Sequence, residues 1–293
     1  MARRRRKLRL TMSFPPLIGT AALQARLGNP ALIVLDASWY LPDTGRDARV
    51  EFSEGHIPGA QFFDLDLASD HATALPHMLP IAAEFESVAR GLGISAESEI
   101  VVYDGSGVNL SAARVWWMFR AFGHERVSVL DGGLGAWRAE QRPLEAGEPM
   151  PRVPGTFHAV LRASCVRSLD EMATIVASGS AQVVDARPEG RFHGRDPEPR
   201  PGLRSGRMPG ALSIPYAELV DATGRMLGAV SLRERFRGAG VDLTAPVVAT
   251  CGSGTSACAV LLALEVLGAP AGALYDGAWT EWAGRDDTPV EVG

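Results

Sequence analysis

Two kinds of hydrophobic pattern alternate along the chain. Short, nearly continuous apolar runs break off at turn residues: ALIVLD (31–36), IVVYD (100–104), VSVLD (127–131), QVVDA (182–186), PVVAT (246–250) and GALYD (272–276). Runs of this length without polar alternation fit strands buried on both faces of a parallel sheet. Longer apolar segments stand between them. SAARVWWMFRAFG (111–123) and SACAVLLALEVLG (256–268) read as helices, each closed by a glycine, Gly123 and Gly268, the residue that most easily adopts the left-handed turn ending a helix. Strand, loop, helix and strand make a βαβ unit, so the class is α/β with mainly parallel sheets flanked by helices.

The pattern is written twice. ALIVLDASWY (31–40) matches AQVVDARPEG (181–190), and EGHIPGAQFFDL (54–65) matches SGRMPGALSIPY (205–216). EIVVYDGSG (99–107) matches PVVATCGSG (246–254), and VSVLDGGLGAW (127–137) matches GALYDGAWTEW (272–282). Four stations in the same order imply two copies of one domain. The expected division is 13–146 and 160–293, joined by a Pro- and Gly-rich linker at 147–159.

Bulk properties exclude several partners. The net charge of −5 over 293 residues gives no electrostatic footprint for nucleic acid. The one basic run, Arg3 to Lys7, reads as a disordered tail and lacks the apolar stretch of a secretory signal. Residues 1–11 read as an over-extended start or a very short targeting segment. No apolar span is long enough for a membrane helix. Cys165, Cys251 and Cys258 are too few for a disulfide framework and have no zinc-site spacing, and the six histidines form no metal motif. A reducing cytoplasm is the expected compartment.

The chemistry concentrates at Cys251. It ends an apolar run and opens the small-residue loop Gly252-Ser253-Gly254-Thr255-Ser256 before a helix. In open α/β sheets, ligands bind at the carboxyl ends of strands. Bare backbone amides and a helix N-terminus form an anion cradle there and favour a thiolate nucleophile. Gly252 and Gly254 leave room a side chain would obstruct, and Ser256 is placed to cap the helix. The first repeat carries Asp104 at the matching position, which implies one catalytic and one non-catalytic copy. A Cys-dependent phosphatase is disfavoured because Ala257 stands where its C-x5-R loop needs arginine. A dinucleotide site is disfavoured because CGSGTSA is not G-x-G-x-x-G.

Tandem α/β repeats with one loop cysteine in the second copy resemble the two-domain rhodanese-type sulfurtransferases. The resemblance runs from about residue 14 to the end and rests on LDASWYLP, GRDARVEFSEGHIPGAQFFDLD, HMLP, RVWWMFRAFGHERVSVLDGG, GRFHGRDPEPRPG and CGSGTSA. Within that family the CGSG loop resembles the branch that uses 3-mercaptopyruvate. Branches using thiosulfate carry charged residues after the cysteine, where this chain has Gly252 and Ser253. The usual C-G-S-G-V-T-A is here varied to Thr255-Ser256. The resemblance implies attack of Cys251 on the donor sulfur, a cysteine persulfide, and transfer to a thiol, thioredoxin among them, or to cyanide. It implies no cofactor. It implies that Arg191 and Arg200 bind the donor with Gly252, Gly254, Thr255 and Ser256, and that Ser253 works with a histidine and an aspartate of the first domain. For these the expectation is His56, in EGHIPGA, and Asp47, in GRDAR, with Asp43 as the alternative aspartate and His77 and Asp104 as lesser candidates. Arg195, Arg204 and Arg207 match no donor position.

Overall fold

The computed structural model describes residues 14–41 and 44–293; the basic run at 3–7 and Asp43 lie outside them. Two five-stranded, wholly parallel sheets are formed. The first contains β1 (Leu17–Ile18), β2 (Leu32–Asp36), β3 (Gln61–Phe62), β4 (Glu99–Tyr103) and β5 (Val127–Leu130), in the order β1-β5-β4-β2-β3. The second contains β6 (Val166–Arg167), β7 (Gln182–Asp185), β8 (Leu212–Ser213), β9 (Val247–Thr250) and β10 (Ala273–Tyr275), in the order β6-β10-β9-β7-β8. The two orders are the same, as the sequence repeat predicts.

The first sheet is flanked by α1 (Thr20–Gln24), α2 (Ala48–Glu54), α3 (Ala82–Gly91), α4 (Leu110–Ala121) and α5 (Gly133–Ala139). The second is flanked by α6 (Leu169–Ser178), α7 (Glu189–Phe192), α8 (Ala229–Gly238), α9 (Ala257–Val266) and α10 (Ala278–Ala283). The central helices follow the expected segments, with Gly123 and Gly268 at positive φ just past their ends. Helices α4 and α9 are apolar nearly all round because they pack on each other as well as on their own sheets. The largest apolar cluster therefore crosses the domain boundary, joining Val115 and Phe119 to Val260 and Leu264.

The expected linker is not a free tether. Gly155 and Phe157 donate to Arg90 and Ile94 carbonyls, and Phe157 is buried in the first domain's core. A side chain at Gly155 would collide with the Ile94 carbonyl, which explains a glycine there.

Each domain also sends a strap over the other's central loop. In the first domain the strap leads to His77 and Leu79, and the Leu79 amide donates to Asp276 Oδ2 at 2.7 Å. In the second, Asn109 Nδ2 donates to the Gly224 carbonyl at 3.2 Å and the Met226 amide to Asp131 Oδ1 at 2.8 Å. Asp131 and Asp276 are matched positions just beyond β5 and β10. The crossing is thus reciprocal.

Candidate active site

Strand β9 delivers Cys251, only 1% exposed, to the start of the loop that enters α9. Its carbonyl accepts from the Trp279 amide at 2.8 Å, and the Gly252 carbonyl accepts from Thr280 Oγ1 at 2.6 Å, so α10 fixes the loop's outer face. Among the described residues, no protein acceptor takes the amide hydrogens of residues 252–256. Gly254 has φ +77°, and a side chain there would meet the Asp276 carbonyl and carboxylate at 3.0 Å. Gly252 is needed for a different reason: a Cβ would stand 3.0 Å from Arg191 Nη2.

The first repeat shows the same cradle filled. Asp104 Oδ1 accepts from the Ser106 amide at 2.9 Å, and Oδ2 from the Ala112 amide at 2.8 Å. The carboxylate that replaces the thiol occupies the anion position itself.

Opposite the Cys251 loop stands His77. Its Nδ1 lies 3.4 Å from Ser253 Oγ and 3.3 Å from Thr255 Oγ1, and its Nε2 lies 3.4 Å from Asp66 Oδ1. With Nε2–H directed at the carboxylate, Nδ1 is left to accept from either hydroxyl. Trp39 donates to Asp66 at 3.1 Å and sets its ring edge on His77, centroids 4.5 Å apart. The His77 hydrogen bond holds the Asp66 carboxyl below its usual value, with Trp39 adding to the effect. His77 has φ +58°, a conformation costly for a residue with a side chain. It is held by Arg114, whose Nη2 donates to the His77 carbonyl at 2.5 Å while Nη1 pairs with Asp276 at 2.6 Å. Arg114 is wholly buried.

The third wall is cationic. Arg191 makes a fork onto Glu198 through Nε and Nη2. Arg200 lines a cleft of about 540 Å³ with Trp39, Leu41, Asp66, Pro76, His77 and Pro199. Burial, then the charge of Arg191, pushes the Arg200 guanidinium below its usual value, while Cys251 and Glu198 pull the other way. These four groups therefore share one electrostatic neighbourhood.

A buried cysteine at a strand end stands over an open amide cradle in the second domain, and the first domain has the same cradle plugged; one known family matches both halves. The model of the rhodanese-like domain fits residues 20–140 and 168–285. The chain belongs to the rhodanese family. A rat relative named 3-mercaptopyruvate sulfurtransferase is 47% identical over 89% of this chain and 88% of its own. A chicken relative named thiosulfate sulfurtransferase is 42% identical over 92% and 93%. The crystal structure of SseA from Escherichia coli, titled as a 3-mercaptopyruvate sulfotransferase, superposes with a TM-score of 0.82 at 39% identity, covering 90% of this chain and 98% of that one.

In this chain Cys251, Ser253, Arg191 and Arg200 come together, with Gly252, Gly254 and Thr255 in the same loop. His56 and Asp47 do not join them. His56 is buried in the first domain, stacked on Phe52 with centroids 4.0 Å apart and bonded through Nδ1 to the Phe52 carbonyl at 2.8 Å. Asp47 caps α2, accepting from the Arg49 and Val50 amides. Both are local structural residues, and the pair at Ser253 is His77 with Asp66. Ser256 makes no capping bond; its backbone is already helical, not in the extended conformation of a capping residue. Cys258 lies within α9 and donates to the Gly254 carbonyl; burial pushes its thiol far up. Arg204 and Arg207 bond backbone carbonyls instead of facing the cleft.

Asp66 was missed and His77 underweighted, although a signal existed. HMLP (77–80) matches RMLG (225–228) across the repeat. A histidine in one strap and an arginine in the other marks a position where the copies differ, as Cys251 and Asp104 do.

Proposed function

We propose that this chain is a sulfurtransferase that moves the sulfur of 3-mercaptopyruvate to a thiol or to cyanide, releasing pyruvate. The supporting observation is a cysteine loop without charged side chains of its own, with the Arg191 guanidinium set against Gly252 and Arg200 lining the adjoining cleft. A donor that carries a carboxylate and a ketone beyond its sulfur suits cations on that wall. The names of the relatives point the same way, with thiosulfate as the competing donor.

In this reading the Cys251 thiolate attacks the donor thiol sulfur. The carbon–sulfur bond breaks and its electron pair passes to the pyruvate enolate, which takes up a proton. The outer sulfur stays on Cys251 as a persulfide, stabilised by the loop amides, until an acceptor thiolate attacks it and restores the cysteine thiolate. Arg191 and Arg200 hold the donor's carboxylate and ketone oxygens. Ser253, with His77 and Asp66 behind it, carries the proton between donor thiol and enolate. The intermediate is formed on the protein, so the scheme calls for no resident cofactor. Thioredoxin-type dithiols fit as acceptors, and a reducing compartment such as the cytoplasm suits the three unpaired thiols. Among the described residues no helix is long and apolar enough to cross a membrane.

The test compares kcat/KM for 3-mercaptopyruvate and thiosulfate with cyanide as acceptor. The proposal expects 3-mercaptopyruvate to be preferred, and a preference for thiosulfate overturns it. Shortening Arg191 or Arg200 to a neutral side chain is expected to cost about 10- to 100-fold with 3-mercaptopyruvate, the worth of one charged hydrogen bond.

A further inference from the structure

A buried chain of alternating charge lies behind the donor-binding wall. Arg187, 1% exposed, pairs with Asp185 through Nε and Nη2, stacks 4.2 Å above the Trp279 ring, and donates through Nη1 to Glu198 Oε1 at 2.6 Å. The other Glu198 oxygen takes the Arg191 fork. The Glu198 side chain is 2% exposed. Asp185, Arg187, Glu198 and Arg191 therefore cancel one another. Among the described residues Arg200 makes no ion pair, so the wall presents one net positive charge. Across the cleft Asp66 is paired with His77 and its side chain is 66% exposed, so water screens it.

We propose that Glu198 sets the charge of the donor that this site accepts, by neutralising Arg191 while aiming it. The inference rests on the reading of Cys251, Arg191 and Arg200 as the donor site. The Arg191 fork is spent on Glu198 through Nε and Nη2, and among the described residues Nη1 has no protein acceptor. That leaves one directed donor for an oxygen of the substrate but little net charge. The Cys251 thiolate is common to both donors; beyond it, a monoanion such as 3-mercaptopyruvate matches the single charge of Arg200. A dianion such as thiosulfate leaves one negative charge uncompensated in a half-buried site, where charge is costly. Replacing Glu198 by its neutral amide frees the second positive charge and inverts this preference. Glu198 is a specificity-determining residue in this scheme and does not itself touch the reacting sulfur.

The experiment measures competitive inhibition constants for pyruvate, a monoanion, and sulfate, an inert dianion, against whichever donor the enzyme turns over. This readout survives even if the preferred donor is not 3-mercaptopyruvate, which the wild-type donor comparison settles separately. Glu198→Gln is expected to shift the pyruvate-to-sulfate ratio about 10-fold or more towards sulfate, the scale of one added charge nearby. Arg191→Met, which leaves Glu198 paired with Arg187, is expected to shift it at least as far the other way. A merely structural role for Glu198 weakens both anions alike and leaves the ratio within twofold of wild type. That result in folded Glu198→Gln protein overturns the proposal. If Glu198→Gln does not fold, Arg191→Met combined with Glu198→Gln decides: it removes one charge of each sign, so a ratio within twofold of wild type supports the proposal, and a ratio shifted against sulfate as far as in Arg191→Met alone overturns it.

Discussion

At the scale of single residues, chemical type and position decide more than motif membership. Two buried histidines of the first domain look alike in sequence, yet only His77 faces the Cys251 loop, while His56 is bonded to its own helix. His77→Ala is expected to lower kcat about 100-fold, a typical loss of a positioned acid–base group. His56→Ala is expected to keep kcat while lowering stability by roughly 1–3 kcal/mol through a lost buried hydrogen bond and packing. Steady-state kinetics and denaturant unfolding on the two variants check both. Asp36 makes a separate prediction. Burial raises its pKa from 3.8 to about 6, against the pull of its Ser38 hydrogen bonds. The native state thus holds this proton more tightly than the unfolded chain. The contribution is full below about pH 4 and is lost as pH rises through about 6, roughly 3 kcal/mol in all. Asp36→Asn is expected to stabilise the protein at pH 7.5 and to make no difference at acid pH, as read from unfolding curves at each pH. Equal effects at both ends would show that Asp36 is not the titrating group.

At the scale of elements, the strands, the central helices and the reactive loop were legible because each is local: unbroken apolar runs, closing glycines, small residues after a cysteine. The matched repeats made the twofold sheet order legible too. The straps were not, since residues 66–79 carry little periodicity and are placed by contacts with the other domain. Asp66 reaches His77 only because the strap turns at a left-handed residue, which nothing in the local sequence announces. In the sequence Arg114 is a charge in an apolar helical segment. Its role follows from the strap, because Arg114 and Asp276 together hold the His77 carbonyl and the Leu79 amide. Exchanging both for uncharged residues, Arg114→Met with Asp276→Asn, avoids leaving a lone buried charge. That variant is expected to lose about 100-fold in kcat, as His77→Ala does, and adding His77→Ala should cost less than twofold further, because both changes remove the same positioned ring. Losses that simply multiply would assign Arg114 to stability alone.

At the scale of the whole molecule, the second domain carries Cys251 and the two arginines, and the first supplies the strap that faces them. Asp104 plugs the first cradle with its own carboxylate, so the proposed chemistry has one open cradle in the duplicated fold. The core that runs through α4 and α9 makes the two halves one packing unit, which keeps His77 in register with Ser253. The central claim is that 3-mercaptopyruvate leaves its sulfur on Cys251. Mass spectrometry of the protein after exposure to 3-mercaptopyruvate tests this directly. The expected result is one added sulfur, located at Cys251, removed by excess thiol, and absent from Cys251→Ser, while Cys258→Ser and Cys165→Ser still gain it. A protein that gains no sulfur, or gains it equally in Cys251→Ser, would contradict the account.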